Sequence, residues 1–213
     1  MPKNIAFLLV LITLLVSSCS SGAAPVTTPE VVSVYSSSSA EPWLSALYDC
    51  AQASSVLSRV DDPANADIVL RVGEPEVLTS FAYQIDTEEI LIVTHRQSPV
   101  QNLTMDDARA LFTGQGDLSV QVWVYASGED IQQVFDKIVM DGRAVTSSAM
   151  VAANSQQMSD AINSQANAVG FLSRHWKMGD SRFVYSIPDV PVLAITPTEP
   201  QGAVRNLIAC LQQ

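Results

Sequence analysis

From Val31 onward, strand-like and helix-like segments alternate along the chain. Residues 31–35 (Val-Val-Ser-Val-Tyr) have the pattern of a buried strand. It runs into Ser36, Ser37, Ser38 and Ser39 and then a helix opened by Glu41-Pro42, with Leu44, Leu47, Tyr48 and Ala51 at helical spacing. Residues 67–72 and 89–95 read as further strands. Thr104 with Asp107 caps a helix over residues 105–112, which Gly114 ends. Residues 119–125 alternate Val120, Val122 and Val124 against Gln121, Trp123 and Tyr125, a strand pattern. Ser127 and Asp130 make a capping pair for a helix whose apolar face carries Ile131, Val134, Phe135, Ile138 and Val139. Ser155 caps a shorter helix with Met158, Ala161 and Ile162, and residues 168–172, 183–186 and 192–196 are late strands. Thr198 and Gln201 form a capping box for a last helix bearing Val204, Leu207, Ile208 and Leu211. The pattern predicts an α/β fold, with a mostly parallel sheet in each of two lobes.

The first residues follow a different rule. Residues 1–18 have a basic start at Lys3, an apolar run from Ile5 to Val16 and then Ser17-Ser18-Cys19, the layout of a secretory signal. The run is shorter than the ~20 apolar residues of a membrane span. Val16-Ser17-Ser18-Cys19 resembles a bacterial lipobox, in which Cys19 would be lipidated and become the mature N-terminus; the alternative is an ordinary signal peptide with an incidental cysteine. Residues 20–29, rich in Ser, Ala, Pro and Thr, suit a flexible tether behind such an anchor. Two or more acyl chains would hold the protein at a bilayer surface, outside the cytoplasm.

Composition narrows the chemistry. The 213 residues carry 22 Asp+Glu against 11 Lys+Arg, a formal charge of −11, and loss of residues 1–18 removes Lys3 and no acid, leaving −12. Nucleic acid is excluded as a partner, because phosphate contacts need clustered Lys and Arg. Only His95 and His175 are available for a histidine-based metal site or a hydrolase triad, and they lie far apart in sequence. With no glycine-flanked serine elbow and no nucleophile beside a base, neither an enzyme nor a cofactor or metal site is expected. Asp61 and Asp62 read as a turn before Pro63. Arg174, His175 and Lys177 read as a solvated basic patch, and Trp43, Trp123 and Trp176 as packing residues. Cys50 and Cys210, on the first and last helices of an exported chain, form a bridge or remain two buried thiols.

Two strand ends share a design. Residues 31–35 end in a serine cluster that opens a helix, and residues 119–125 end in Ala126-Ser127-Gly128, which opens another. Ligands of open α/β sheets bind beyond the carboxyl ends of strands, where helix N-termini expose free N–H groups. Serine hydroxyls add hydrogen-bonding arms, and Gly128 allows close backbone approach. Two such mouths facing each other would clamp a small polar or anionic solute; as isolated features they are N-caps and turn formers.

The order of these segments resembles the phosphate-type solute-binding proteins of ABC transporters. The likeness is carried by the first strand and serine loop through Pro42, by Asn102-Leu103-Thr104 with Ala110-Leu111-Phe112-Thr113-Gly114, by Ser127-Gly128 with Phe135, and by Ala168-Val169-Gly170-Phe171-Leu172. It covers nearly the whole chain from Val31. The resemblance implies a two-lobed type II periplasmic-binding-protein fold, with residues 30–93 plus 183–213 as lobe I and 94–182 as lobe II. It also implies an oxyanion held by Ser37, Ser38 and Ser39 from one lobe and Ser127 and Gly128 from the other, for delivery to an ABC-transporter permease. The chain departs from the family pattern in four places, one of them an abbreviated stretch between the first helix and Asp67. Tyr125 and Ala126 stand where an arginine is common before Ser-Gly, Glu129 followed by Asp130 replaces a threonine, and the serine often found after the second strand has no counterpart among Arg71, Val72 and Gly73. A carboxylate in a closed cleft repels an anion, so a sensor or adaptor with a degenerate cleft is the second expectation.

Overall fold

A computed structural model describes residues 28–51 and 55–213. The signal segment 1–18, Cys19 and the tether up to residue 27 lie outside the described residues. The chain folds as β1 (Glu30–Ser36), α1 (Glu41–Ala51), β2 (Ser55–Arg59), β3 (Ile68–Val72), β4 (Phe81–His95), α2 (Met105–Phe112), β5 (Gln121–Tyr125), α3 (Asp130–Phe135), β6 (Met150–Ala152), α4 (Ser155–Ser164), β7 (Ala168–Ser173), β8 (Ser181–Thr196) and α5 (Gly202–Leu211). A π-helical turn, Asp136–Met140, continues α3. No helix among the described residues is long and apolar enough to cross a membrane.

Eight strands are ordered β2-β1-β3-β8-β4-β7-β5-β6. β1 pairs parallel with β2 and β3, and β5 pairs parallel with β6 and β7. These two parallel groups flank β4 and β8, which pair antiparallel with each other along nearly their full lengths. β3 joins the pair antiparallel through β8 and β7 through β4. The strands of the two parallel groups therefore point in opposite directions, and their carboxyl ends converge on the middle of the β4–β8 ribbon. Register fixes how closely they converge. Val72, the last residue of β3, is level with Val192 and through it with Asp86, while Ser173, the last residue of β7, is level with Ile90. Four residues of strand separate those levels, about 13 Å at strand rise.

Sequence accounts for most of this. In β3, Ile68, Leu70 and Val72 are fully buried while Val69 and Arg71 are less so, the alternation of a strand covered more heavily on one face. β7 is buried at every position, as a strand covered on both faces must be. Phe112, Phe135 and Phe171 fill the core of the β5–β7 half, with the Phe135 and Phe171 rings stacked 3.9 Å apart. Thr104 caps α2 with the reciprocal Asp107 bond that the sequence predicts.

Several expectations are corrected. Residues 183–186 and 192–196 belong to one strand, β8, which passes through Pro188 at a break in the β4–β8 register between Glu88 and Ile90. Proline cannot donate to a ladder, so it sits where the ladder is interrupted. The strand at 89–95 begins at Phe81, and β2 is additional. Asn154, not Ser155, accepts from Gln157 N to cap α4, and Gln201 precedes α5 with no side-chain cap bond, while Glu30 accepts from Ala203 N. Arg174 and His175 are exposed, as expected of a surface patch, but they are not unpaired. They pair with Glu89 and the buried Glu88, and His175 stacks edge-on against Trp43 with ring centroids 4.7 Å apart. Burial pushes the Glu88 carboxyl above its ordinary range despite the hydrogen bond from His175. α1 and α5 are joined by the Cys50–Cys210 disulfide, whose Cα atoms are 5.9 Å apart.

Candidate functional site

The turn after β1 carries Ser37 and Ser39, both buried, and Ser38, which is partly exposed. This turn lies beside the carboxyl end of β3, since Ser37 N donates to Leu70 O at 3.1 Å. Opposite them, β5 ends at Tyr125 and the chain turns through Ala126, Ser127 and Gly128, all exposed, before α3 begins.

Asp130 joins the two halves. The residue is 5% exposed, and its carboxylate accepts from Ser37 Oγ at 2.6 Å, Ser39 Oγ at 2.6 Å, Val72 N at 2.7 Å and its neighbour Ile131 N at 2.7 Å. Three of those donors belong to the β1–β3 half, so a side chain from the other half is held as an oxyanion would be. A buried carboxylate is tolerated only when its oxygens are hydrogen-bonded, and both oxygens here have two donors. The pairing of Ser127 with Asp130 as a cap does not form. Glu129 is the N-cap residue, without a side-chain cap bond, and Asp130 is turned into the cleft.

The surroundings are electrostatically mixed. Ser38 Oγ reaches Glu129 Oε2 and Ser155 Oγ at 3.4 Å each, long contacts across the cleft. Burial and the adjacent Asp130 charge push the Glu129 carboxyl up from its ordinary value of 4.5. Arg71 donates to Gly73 O and Gln133 Oε1, both at 3.0 Å. Burial lowers its pKa, and the charge of Asp130 opposes that shift. Gly73 has φ of +77°, and a Cβ there would meet Val134 Cγ2 at 2.2 Å, so the β3 turn and α3 approach as closely as only glycine permits. Among the described residues no group of His, Cys, Asp and Glu could hold a metal ion.

The structure thus gathers Ser37 and Ser39 at one point and places Ser38 above them. Ser127 and Gly128 are exposed. Ser127 lines an open groove of about 620 Å³ with Glu74, Pro75, Glu76, Gln133, Asp136 and Lys137. Two functional groups are absent from the sequence-based set. Val72 contributes a backbone N–H, which carries no residue signature. Asp130 had a signal, since it stands four residues before Val134 on the apolar face of α3, a position where a carboxylate requires buried partners.

No protein-family model matches the chain, and no curated protein matches it. Solved structures do. A putative phosphate ABC transporter substrate-binding protein with bound phosphate from Clostridium perfringens aligns with TM-score 0.73 at 16% identity, over 85% of this chain and 93% of that one. An ABC-type phosphate transport receptor from Vibrio cholerae aligns with TM-score 0.65 at 17% identity, with the same shares covered. The regulatory domain of HypT from Salmonella typhimurium aligns with TM-score 0.60 at 9% identity, over 87% and 95%. The scaffold is therefore shared by transport receptors and by a regulatory domain, and likeness at these identities speaks to architecture. The chain has the two-lobed α/β fold of type II periplasmic-binding proteins.

Proposed function

We propose that the protein is a membrane-anchored extracytoplasmic solute-binding lipoprotein that captures a small anion between its lobes and presents it to an ABC-transporter permease. Cys19 is the lipid attachment site in this reading, residues 19–29 are the tether, and the lobes are residues 30–93 plus 183–213 and residues 94–182. The observation that carries it is the cradle of Ser37 Oγ, Ser39 Oγ and Val72 N, three donors within 2.7 Å of a carboxylate. Such a set is complementary to an oxyanion and needs no cationic side chain, which suits a chain of −11 net charge that offers an anion no long-range attraction. The likeness to phosphate transport receptors supports the same reading. Titration with phosphate, sulfate, formate and acetate should shift the fluorescence of Trp43, which lies on the helix that follows the cradle. A flat response across that panel would count against solute capture.

A second reading is a sensor or adaptor whose cleft takes no solute. The same Asp130 carboxylate favours it, because the cradle is already filled. Permease and ATPase genes beside this one would favour transport, and a histidine kinase gene would favour sensing.

A further inference from the structure

Nothing about α3 as a helix requires Asp130 to point where it does. A helix start is served by a Ser, Thr, Asp or Asn in the cap position that bonds back to its own second or third amide. Here the cap position is held by Glu129 with no such bond, and Asp130 reaches across the cleft to donors 58 to 93 positions away in the chain. Nor does the contact serve as an ordinary ion pair. Both carboxylate oxygens are met by hydroxyl and amide donors, while the nearby Arg71 spends its bonds on Gly73 and Gln133. Two serine hydroxyls and an amide converging on one small anion, in a space sealed from water, make an oxyanion site; the chain supplies the oxyanion itself.

The geometry points to Asp130 as a built-in competitor for this anion site. A free oxyanion enters the cradle only when the Asp130 carboxylate leaves it, so the residue at position 130 sets both the affinity of the cleft and the size of anion it admits. This inference rests on the reading of the cradle as an anion site. The competitor is covalently attached, and its effective concentration exceeds that of most free solutes. If the cradle is free of Asp130 for about 1% of the time, the apparent Kd of the intact protein is about a hundred times the intrinsic one. Asp130 also does what a bound solute would do, joining the turn after β1 and the end of β3 to α3, so the two halves stay together without one. Glu129 adds a second filter, since its charged form would lie beside any arriving anion.

The test compares the wild-type protein with Asp130→Ala, which vacates the space of one carboxylate, Asp130→Asn, which fills it without charge, and Asp130→Ala combined with Ser39→Ala. Calorimetric titration with formate, acetate, phosphate and sulfate is the readout. Asp130→Ala should bind formate or a larger oxyanion at least about tenfold more tightly than the wild-type protein. Asp130→Asn should not gain affinity, and adding Ser39→Ala should abolish the gain. If Asp130→Ala binds and the wild-type protein does not, the competitor is established and native anion capture fails. If the wild-type protein binds as tightly as Asp130→Ala, the competitor is overturned and anion capture stands. If neither binds any of the four anions, both fail. Should Asp130→Ala not fold unaided, refolding in formate against equal chloride replaces the titration. Recovery specific to formate supports the inference, and equal yields overturn it.

Discussion

Replacing Ser39 by alanine tests whether the Asp130 cluster holds the two halves together. The Ser39 side chain is fully buried, and its hydroxyl donates to Asp130 Oδ1 at 2.6 Å. After the change that oxygen keeps only Ile131 N, a donor within its own turn, while Oδ2 keeps Ser37 Oγ and Val72 N. A hydrogen bond to a charged group contributes about 1.5–3 kcal/mol, and water cannot replace the lost donor in a site this buried. The expected loss is thus about 2 kcal/mol, with little cavity contribution because only one oxygen atom is removed. With a urea slope of about 2 kcal/mol/M the denaturation midpoint should fall by about 1 M. Melting should fall by roughly 4–8 °C for a chain of this size. The decisive figure is the coupling in a double-mutant cycle with Asp130→Ala. Ser39→Ala should cost much less once the carboxylate is gone, leaving a coupling of about 1.5–3 kcal/mol. A coupling within about 0.5 kcal/mol of zero would mean that hydroxyl and carboxylate do not depend on each other, and the account of the cradle would be refuted.

Other consequences follow from the same geometry. Gly73→Ala should destabilise the protein by more than about 1 kcal/mol, because it places a Cβ at positive φ and 2.2 Å from Val134 Cγ2; a midpoint unchanged in urea would show that α3 moves aside freely. Removing the disulfide by Cys50→Ser and Cys210→Ser opens a loop closed across 160 positions, worth at most roughly 5 kcal/mol in the chain-entropy estimate; thermal melting of the double variant should drop by several degrees or more. The folded-state pKa of Glu129 is raised above its ordinary 4.5, so the stability linked to its protonation is fully present below about pH 4.5 and is lost as pH rises through the folded value. Glu129→Gln should therefore melt higher than the wild-type protein at pH 7, with the difference closing toward pH 4. A gain that persists unchanged at pH 4 would assign the effect to something other than this ionisation.

The local content of this fold is legible in single segments. The buried strand at residues 31–35, the apolar stripes of α1 and α3, and the Thr104–Asp107 capping box depend on neighbours within one or two turns. The same locality explains why Ser36 to Ser39 announce a polar turn. It also explains where sequence reading stops. β8 reads as two segments because Pro188 interrupts its pattern, and only pairing with β4 makes the two pieces one strand. Arg174 and His175 are exposed, as their sequence suggests, but their pairing is not legible because the acceptors, Glu89 and Glu88, lie on another strand.

By itself the sequence determined the α/β alternation, the acidic and histidine-poor chemistry and the serine loop after β1. The tertiary structure decided what that loop holds. Register along β4 and β8 brings the two strand mouths together, and helical phase turns Asp130 inward with Val134. One of its donors is a backbone amide on β3, identical in every residue but proline. A hydrogen bond between residues so far apart in the chain exists only after folding, so its partners were fixed by topology and not by any local pattern.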